Sequence, residues 1–145
     1  MGRLRIVAGR FRGRRITVAS EPELRPTPER AREALFNILG QDLTGFTVLE
    51  LYAGTGAVGF EALSRGARRV VFVDAVPRIA AALRATAAGL GVEREARVVV
   101  ARAEDVLDRR GVGGPFDLIF ADPPYPSGAA ETLTERIDRG GVLSL

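Results

Sequence analysis

From residue 47 onward, short apolar runs alternate with longer segments whose apolar residues recur at helical spacing. The runs predict strands at residues 47–51, 69–74, 96–101 and 116–121, with a fifth beginning at 140–145. The segments between them predict helices at residues 57–65, 77–90, 104–110 and 127–139. Strands that are apolar on both faces and alternate with helices indicate an α/β fold, a doubly wound and mostly parallel Rossmann-like sheet.

The N-terminal segment has a different pattern. Basic and apolar residues alternate on both sides of residues 9–13, which predicts a short β-hairpin with its arginines projecting to one side. A helix is predicted next, because Thr27 suits the N-cap, Pro28 the first helical position and Gly40 the stop. The apolar face of this helix is predicted from the spacing of four residues, Ala31, Ala34, Leu35 and Ile38.

These patterns predict a chain in two parts. Residues 1–45 form the hairpin-and-helix extension, and residues 46–145 form the α/β domain. The length of 145 residues allows a real core, and a hydrophobic content of 46% indicates a folded globular protein. No apolar run approaches the roughly 20 residues that span a bilayer, and no signal peptide is visible. We therefore expect no membrane partner and a cytoplasmic location.

Composition limits the available chemistry. The chain has no Cys and no His, which excludes disulfides, thiolate metal sites and imidazole as a general base, and we expect no metal. All 21 basic residues are Arg, and six of them lie within residues 1–20, which contain no acid. This basic segment favours contact with nucleic-acid phosphates, and a solvated basic tail or a biased composition is the alternative.

A glycine-rich loop separates the first strand of the α/β domain from the helix after it. Gly54, Gly56 and Gly59 have the G-x-G-x-x-G spacing, and Asp74 lies 20 residues after Gly54. The spacing alone is compatible with a dinucleotide, but Glu50 within the strand would repel a pyrophosphate. A cofactor with an ammonium group for Glu50 and ribose hydroxyls for Asp74 fits both acids, as S-adenosylmethionine does. The alternatives are a helix-capping role for Glu50 and a strand-end turn role for Asp74.

The strand at residues 116–121 is followed by Asp122, Pro123, Pro124 and Tyr125. In an open parallel sheet this position faces the same crevice as the glycine loop. The prolines remove two N–H donors, so the amine of a nucleobase can bond to the Asp122 carboxylate and the Pro123 carbonyl. Tyr125 offers a face on which the base can stack. Methyl transfer to the amine would then depend mainly on positioning, without a histidine, and a proline-rich turn is the alternative.

Four segments together are similar to the RsmD family of class I S-adenosylmethionine-dependent methyltransferases. They are residues 5–16, 24–39, 49–67 and 116–125, in this order. The last of them ends in the D-P-P-Y motif of methyltransferases that act on amino groups of nucleic acids. The resemblance covers essentially the whole chain, and it implies methylation of N2 of a guanine in 16S ribosomal RNA.

The resemblance also implies roles for the matching residues. Cofactor contacts are implied for Glu50, Ala53, Gly54, Gly56 and Asp74. Arg25, Pro26 and Thr27 would close over the methionine end of the cofactor. The target amine would be bound by Asp122, Pro123, Pro124 and Tyr125. The RNA backbone would be held by Arg10, Arg12 and Arg14.

Two features depart from the family pattern. Where such enzymes commonly carry an acid near the adenine, this chain has Arg102, so the adenine is expected to rely on the Ala103 backbone, or on Glu104 or Asp105 turned inward. Family members also continue past the fifth strand to a seven-stranded sheet, so the edge of that strand would lie open here. We expect a monomer that acts on 16S ribosomal RNA or the small-subunit ribonucleoprotein, with a dimer through the open edge as the alternative.

Three other functions stay open. The acceptor residues do not distinguish guanine N2 from adenine N6 or cytosine N4 in DNA or RNA, since each is an exocyclic amine. A catalytically inactive RNA-binding fragment of the same fold is a second alternative. An NAD(P) oxidoreductase is a third, and it is supported by the glycine spacing alone.

Overall fold

The computed structural model of the chain describes residues 4–19, 29–109 and 112–123. The elements in these residues are, in order, α1 (Glu29–Leu39), β1 (Thr47–Leu51), α2 (Ala57–Ser64), β2 (Arg69–Asp74), α3 (Pro77–Leu90), β3 (Ala96–Val100), α4 (Ala103–Arg109) and β4 (Leu118–Ala121). Their predicted positions are confirmed to within two residues at each end. The predicted elements of residues 127–145 lie outside the described residues, as do Thr27 and Pro28.

The four described strands form one parallel sheet in the order β3-β2-β1-β4. The chain proceeds outward from β1 to β2 and β3, and β4 then returns to pair with the other side of β1. This confirms the Rossmann-like α/β fold. In such sheets, ligands bind beyond the carboxyl ends of the strands at the point where the strand order reverses. A ligand site is therefore expected at the ends of β1 and β4.

Both faces of the sheet are covered, as the apolar strands predicted. One buried cluster joins residues of β1 and β2 to α2, α3 and the N-terminal extension, and it includes Val48, Val70 and Phe72. The other lies on the opposite face and includes Leu49, Leu51, Val71 and Val73, with Ala103 and Val106 of α4. Consecutive strand residues thus point to opposite clusters, which fixes the register of each strand.

The apolar face predicted for α1 is wrong by one position. Of the four predicted residues, Ala31, Ala34 and Ile38 are exposed, and Ile38 is 84% exposed. The helix instead buries Arg32 and Phe36. The reason is electrostatic, because Nη1 of Arg32 lies 3.0 Å from Oε1 of the buried Glu61. This ion pair turns inward a residue that the polarity pattern places outside.

Residues 4–16 form the predicted hairpin, which we call the arginine hairpin. Arg5 and Arg15 form an antiparallel bridge, and the Ile16 N–H donates to the carbonyl of Leu4 at 3.0 Å. Three apolar residues bury in the same core as α2 and α3, namely Leu4, Ile6 and Ile16. The described arginines of the hairpin are exposed, and they are Arg5, Arg10, Arg12, Arg14 and Arg15; their projection to one side stays a prediction.

The end of α1 follows the prediction. Gly40 adopts a φ of 100°, and its N–H donates to the carbonyl of Phe36 at 2.9 Å. A residue with a Cβ would be strained in this left-handed conformation, so glycine ends the helix here. Across residues 4–19, 29–109 and 112–123, no helix is both long enough and apolar enough to cross a membrane.

Candidate functional site

Three strand ends meet at one edge of the sheet. Leu51, the last residue of β1, pairs with Val73 of β2 on one side and with Ala121 of β4 on the other. The next residue along each strand is therefore at the same level of the sheet. These residues are Tyr52, Asp74 and Asp122. The structure thus brings together the glycine loop and two acids that the sequence assigned to one crevice.

The glycine loop is held by Asp74. The Gly54 N–H donates to Oδ2 of Asp74 at 2.9 Å, and the Val76 N–H donates to Oδ1 at 3.1 Å. Gly54 and Gly56 adopt φ values of 57° and 75°. A Cβ on Gly56 would lie 2.6 Å from a methyl of Leu83, so this position accepts only glycine without rearrangement. Asp74 therefore acts in the strand-end turn and still faces the loop.

Glu50 is buried below the loop. It lies in β1 between Phe72 and Phe120 of the neighbouring strands, and its Oε1 accepts the N–H of Gly59 at 2.8 Å. Gly59 is the third residue of α2, so the carboxyl caps the first turn of this helix. A Cβ at Gly59 would lie 2.3 Å from the Phe72 ring and 2.8 Å from Oε1 of Glu50. In the described residues, Glu50 therefore has the helix-capping role that was the alternative to a cofactor contact.

The environment of Glu50 disfavours its charge. The pKa of the carboxyl is raised from 4.5 to about 8, mainly by burial, which outweighs the lowering by the Gly59 hydrogen bond and is assisted by the nearby charge of Asp74. At neutral pH the proton therefore stays mainly on Glu50. A cation brought close to this group would favour the ionised form.

Tyr52 is a site residue that the sequence reasoning missed. It has a φ of 54°, the single positive value among the described residues other than glycine. Its hydroxyl donates to Oε1 of Glu104, whose Oε2 lies 3.4 Å from Nε of Arg102. Glu104 is thus turned toward the end of β1. This is the orientation expected if Glu104 contacts the adenine of the cofactor. A polarity pattern does not reveal that a tyrosine adopts a left-handed backbone conformation. The position of Tyr52 directly before the glycine loop is the one feature of the sequence that could have indicated a role for it.

Some of the remaining residues predicted to contact the cofactor are described by the structure, and others are not. Ala53 is buried, and its N–H donates to the carbonyl of Val73 at 3.0 Å, which ties the loop to β2. Ala103 is buried at the start of α4, and Asp105 is exposed in the same turn. Arg25, Pro26 and Thr27 lie outside the described residues, so their role stays a prediction.

The acceptor residues are described in part. Asp122 follows β4 directly and is exposed, and Pro123 is half-buried. Pro124 and Tyr125 lie outside the described residues. An exposed carboxylate at the level of the loop is accessible to a large substrate, which an acid buried like Glu50 is not.

The arginine hairpin lies at the other end of the sheet. Nη2 of Arg14 donates to the carbonyl of Gly89, near the end of α3, at 2.6 Å. The guanidinium of Arg10 stacks over the Phe11 ring at 4.4 Å. Arg12 is exposed at the tip. These arginines are therefore exposed on the hairpin, and the structure does not bring them to the edge that holds Asp74.

Within the described parts of the chain, no group of three or more Asp, Glu, His or Cys side chains is arranged to hold a metal ion.

Known proteins similar to this chain were found at the level of family, sequence and structure. The family model Conserved hypothetical protein 95 matches residues 4–144. Ribosomal RNA small subunit methyltransferase D of Escherichia coli K12 is 36% identical over 143 residues, covering 99% of this chain and 71% of that protein. The Haemophilus influenzae protein of the same name is 37% identical over 131 residues, covering 90% and 68%.

A solved structure shows the same similarity in three dimensions. The Escherichia coli protein yhhF gives a TM-score of 0.87 at 36% identity, covering 99% of this chain and 77% of that one. The crevice described above therefore lies in a part of the fold that the two chains share.

Proposed function

Because the chain belongs to the RsmD family, which the Conserved hypothetical protein 95 model describes, we propose that it methylates RNA of the small ribosomal subunit. The donor is S-adenosylmethionine, and the acceptor is the exocyclic N2 amine of a guanine in 16S ribosomal RNA. The observation that carries this proposal is the meeting of the glycine loop, Asp74 and Asp122 at one edge of the sheet.

The residues of the loop fit this cofactor. Each oxygen of Asp74 accepts one backbone N–H, from Gly54 or Val76, and a carboxylate oxygen can accept two hydrogen bonds. One acceptor position on each oxygen is left for a ribose hydroxyl. S-adenosylmethionine supplies a methyl group on a cationic sulfur when bound. Glu50, below the loop, would orient the amino-acid end, and Ala53, Gly54 and Gly56 let the backbone approach it closely.

On the acceptor side, Asp122 and the Pro123 carbonyl would hold the two hydrogens of the amine. These bonds fix the nitrogen and direct its lone pair toward the methyl carbon. The nitrogen forms the new N–C bond as the S–C bond breaks, and one amine proton leaves to water. Pro124 and Tyr125 would complete this side by stiffening the backbone and stacking on the base. No step requires a histidine, which the chain lacks.

The arginine hairpin would contact the RNA backbone. Arg10, Arg12 and Arg14 are exposed on the hairpin, and phosphate contacts from such side chains position a nucleic acid without reading its sequence. The selectivity for one guanine must then come from residues near Asp122 and from the shape of the RNA.

Replacing Asp74 with Ala is expected to weaken the binding of S-adenosylhomocysteine about 100-fold, because the charged acceptor of two hydrogen bonds from the ribose hydroxyls is lost. Asp42→Ala is the matched control. Oδ1 of Asp42 accepts the N–H two residues on, as Oδ1 of Asp74 does, but Asp42 precedes β1 at the opposite edge of the sheet. Equal losses in the two variants, measured by isothermal titration, would contradict the assigned role of Asp74.

The proposed cofactor is tested by titrating S-adenosylhomocysteine and NADH separately into the protein. We expect saturable binding of S-adenosylhomocysteine and none of NADH. The reverse result would favour an oxidoreductase. Binding of S-adenosylhomocysteine without methyl transfer to any RNA would instead favour an RNA-binding protein that has lost catalysis.

A further inference from the structure

We infer that Glu61 and Ser64, on the outer side of α2, are positioning residues that fix the arginine hairpin for RNA. The inference rests on the proposed function, because it concerns the substrate side of the same reaction. Neither residue lies at the edge of the sheet that holds Asp74 and Asp122. Their contacts nevertheless determine where the arginines lie relative to that edge.

Glu61 joins the hairpin to two helices through one buried carboxylate. Its Oε1 accepts the Val7 N–H at 2.9 Å and Nη1 of Arg32 at 3.0 Å. Its Oε2 accepts the Ala8 N–H and Nε of Arg65, both at 3.0 Å. The side chain is completely buried. Four donors thus converge on it from three parts of the chain, the hairpin, α1 and the C-cap residue of α2.

Arg32 strengthens the same junction. Besides its bond to Glu61, its Nη1 donates to the carbonyl of Arg5 at 2.9 Å. The guanidinium therefore holds the hairpin from a second direction. A buried carboxylate and guanidinium that satisfy several partners cost a great deal to separate, since the group left behind stays charged and buried.

Ser64 fixes the tip of the hairpin one helical turn farther along α2. Its hydroxyl accepts the Phe11 N–H at 3.0 Å and donates to the carbonyl of Ala8 at 2.5 Å. Its own carbonyl accepts the Arg10 N–H at 2.9 Å. The approach is so close that a Cβ on Gly9 would lie 2.1 Å from this carbonyl oxygen. The tip is therefore packed directly on the helix backbone.

The helix that carries both residues also begins at the glycine loop. On its inner side, Glu50 holds the N–H of Gly59, and on its outer side Glu61 holds the hairpin. These contacts lie within one turn of the helix. Because an α-helix is stiff over this length, the hairpin and the loop keep a fixed geometry relative to each other.

The distance between the two regions makes that geometry important. The hairpin contacts Gly89, which is 12 residues after Pro77 in α3, and a helix rises about 1.5 Å per residue. The Arg14 guanidinium therefore lies roughly 18 Å along the axis of α3 from the start of that helix, which follows the edge where Asp74 ends β2. Phosphates bound at the tip belong to nucleotides away from the target base, so a hairpin that pivoted would misplace the base at Asp122.

A pair of glycine variants tests the inference without disturbing a buried charge. Gly9 and Gly13 have φ values of 86° and 83°, so Ala is strained equally at both positions. A Cβ at position 9 would collide with Ser64, whereas a Cβ at position 13 meets nothing within 4 Å. We expect Gly9→Ala to raise KM for 16S ribosomal RNA at least about tenfold, and Gly13→Ala less than about threefold. KM for S-adenosylmethionine should stay within about twofold of the wild type in both variants.

Glu61→Gln tests the buried junction itself. In Gln, an NH2 group replaces one carboxylate oxygen and faces two N–H donors that this oxygen accepted. The hairpin should therefore separate from α2. We expect trypsin to cleave within the hairpin faster than in the wild type, together with the same selective rise in KM for RNA. If Glu61→Gln does not fold, the comparison of Gly9→Ala with Gly13→Ala alone tests the positioning role.

The outcomes separate this inference from the proposed function. Equal effects of the two glycine variants on KM for RNA, or equal rises in KM for RNA and for S-adenosylmethionine, overturn the positioning role while methyl transfer stands. If the wild-type protein transfers no methyl group, the proposed function fails, and RNA affinity replaces KM as the readout. A salt-sensitive RNA affinity that Gly9→Ala lowers and Gly13→Ala does not would then still support the positioning role.

Discussion

Replacing Asp122 with Ala is expected to lower kcat for methyl transfer to RNA about 1,000-fold, a loss typical of removing one fixed hydrogen-bonding group from a reacting centre. Asp122 follows β4 directly, at the level of the Tyr52–Gly54 loop, and is exposed to a large substrate. Without its carboxylate, the amine would lose one of the two bonds that orient its lone pair. The affinity for S-adenosylhomocysteine should stay within about twofold, because Asp122 is not among the proposed cofactor contacts.

Asp117 offers a matched control on the same strand. It is also exposed, and it lies before the first residue of β4 instead of after the last, where its Oδ2 accepts the Thr47 N–H at 2.8 Å. Asp117→Asn keeps this acceptor and should leave kcat unchanged. Asp122→Asn keeps one oxygen and should lose less activity than Asp122→Ala. A kcat for Asp122→Ala within about threefold of the wild type would exclude Asp122 from the reaction.

Glu50→Gln is expected to stabilise the folded protein while weakening cofactor binding. Since the pKa of Glu50 is about 8 in the folded protein and 4.5 ordinarily, the folded state holds a proton that the unfolded chain releases. The stabilisation from this proton is fully present below pH 4.5 and is lost as the pH rises through about 8. Gln cannot ionise, and its oxygen can still accept the Gly59 N–H. Above pH 8 the free energy of unfolding of Glu50→Gln should exceed that of the wild type by up to about 5 kcal/mol.

The measurement is chemical denaturation of both proteins between about pH 4.5 and about 8.5, a range that runs from the ordinary pKa to just above the raised one. The two should converge at the acid end and diverge as the pH rises. Glu33→Gln, an exposed position on α1, should follow the wild type throughout. A constant difference between Glu50→Gln and the wild type across this range would show that Glu50 does not change its ionisation there. Weaker binding of S-adenosylmethionine by Glu50→Gln would support a contact to the cation.

The positions of the strands and helices could be predicted from the pattern of apolar residues and from Pro and Gly. Runs such as residues 69–74 are apolar on both faces, and Pro77 and Gly91 mark the two ends of α3, so strands and helices could be located from the sequence. The crevice followed from topology, since parallel strands place Asp74 and Asp122 at the same edge once β1 lies between their strands. Arg25 to Thr27, Pro124 and Tyr125 stay predictions.

The features that depend on buried polar groups were not predictable. The face of α1 was misplaced because Arg32 is buried by a partner, Glu61, that lies 29 residues away in the sequence. Glu50 lies in a strand and also caps the N-terminus of a helix. This second contact exists only because α2 packs on the sheet, so it could not be predicted from the sequence. A polarity pattern records how hydrophobic each residue is but not which charges neutralise each other.

The central claim is that this crevice joins a methyl donor to a guanine amine of small-subunit RNA. Its most direct test is incubation of the protein with methyl-labelled S-adenosylmethionine and unmethylated 16S ribosomal RNA, free and in small subunits, followed by mass spectrometry of the nucleosides. We expect label in N2-methylguanosine, formed about 1,000-fold more slowly by Asp122→Ala. Label in N6-methyladenosine or N4-methylcytidine would contradict the choice of base, and no label in any RNA would contradict the claim itself.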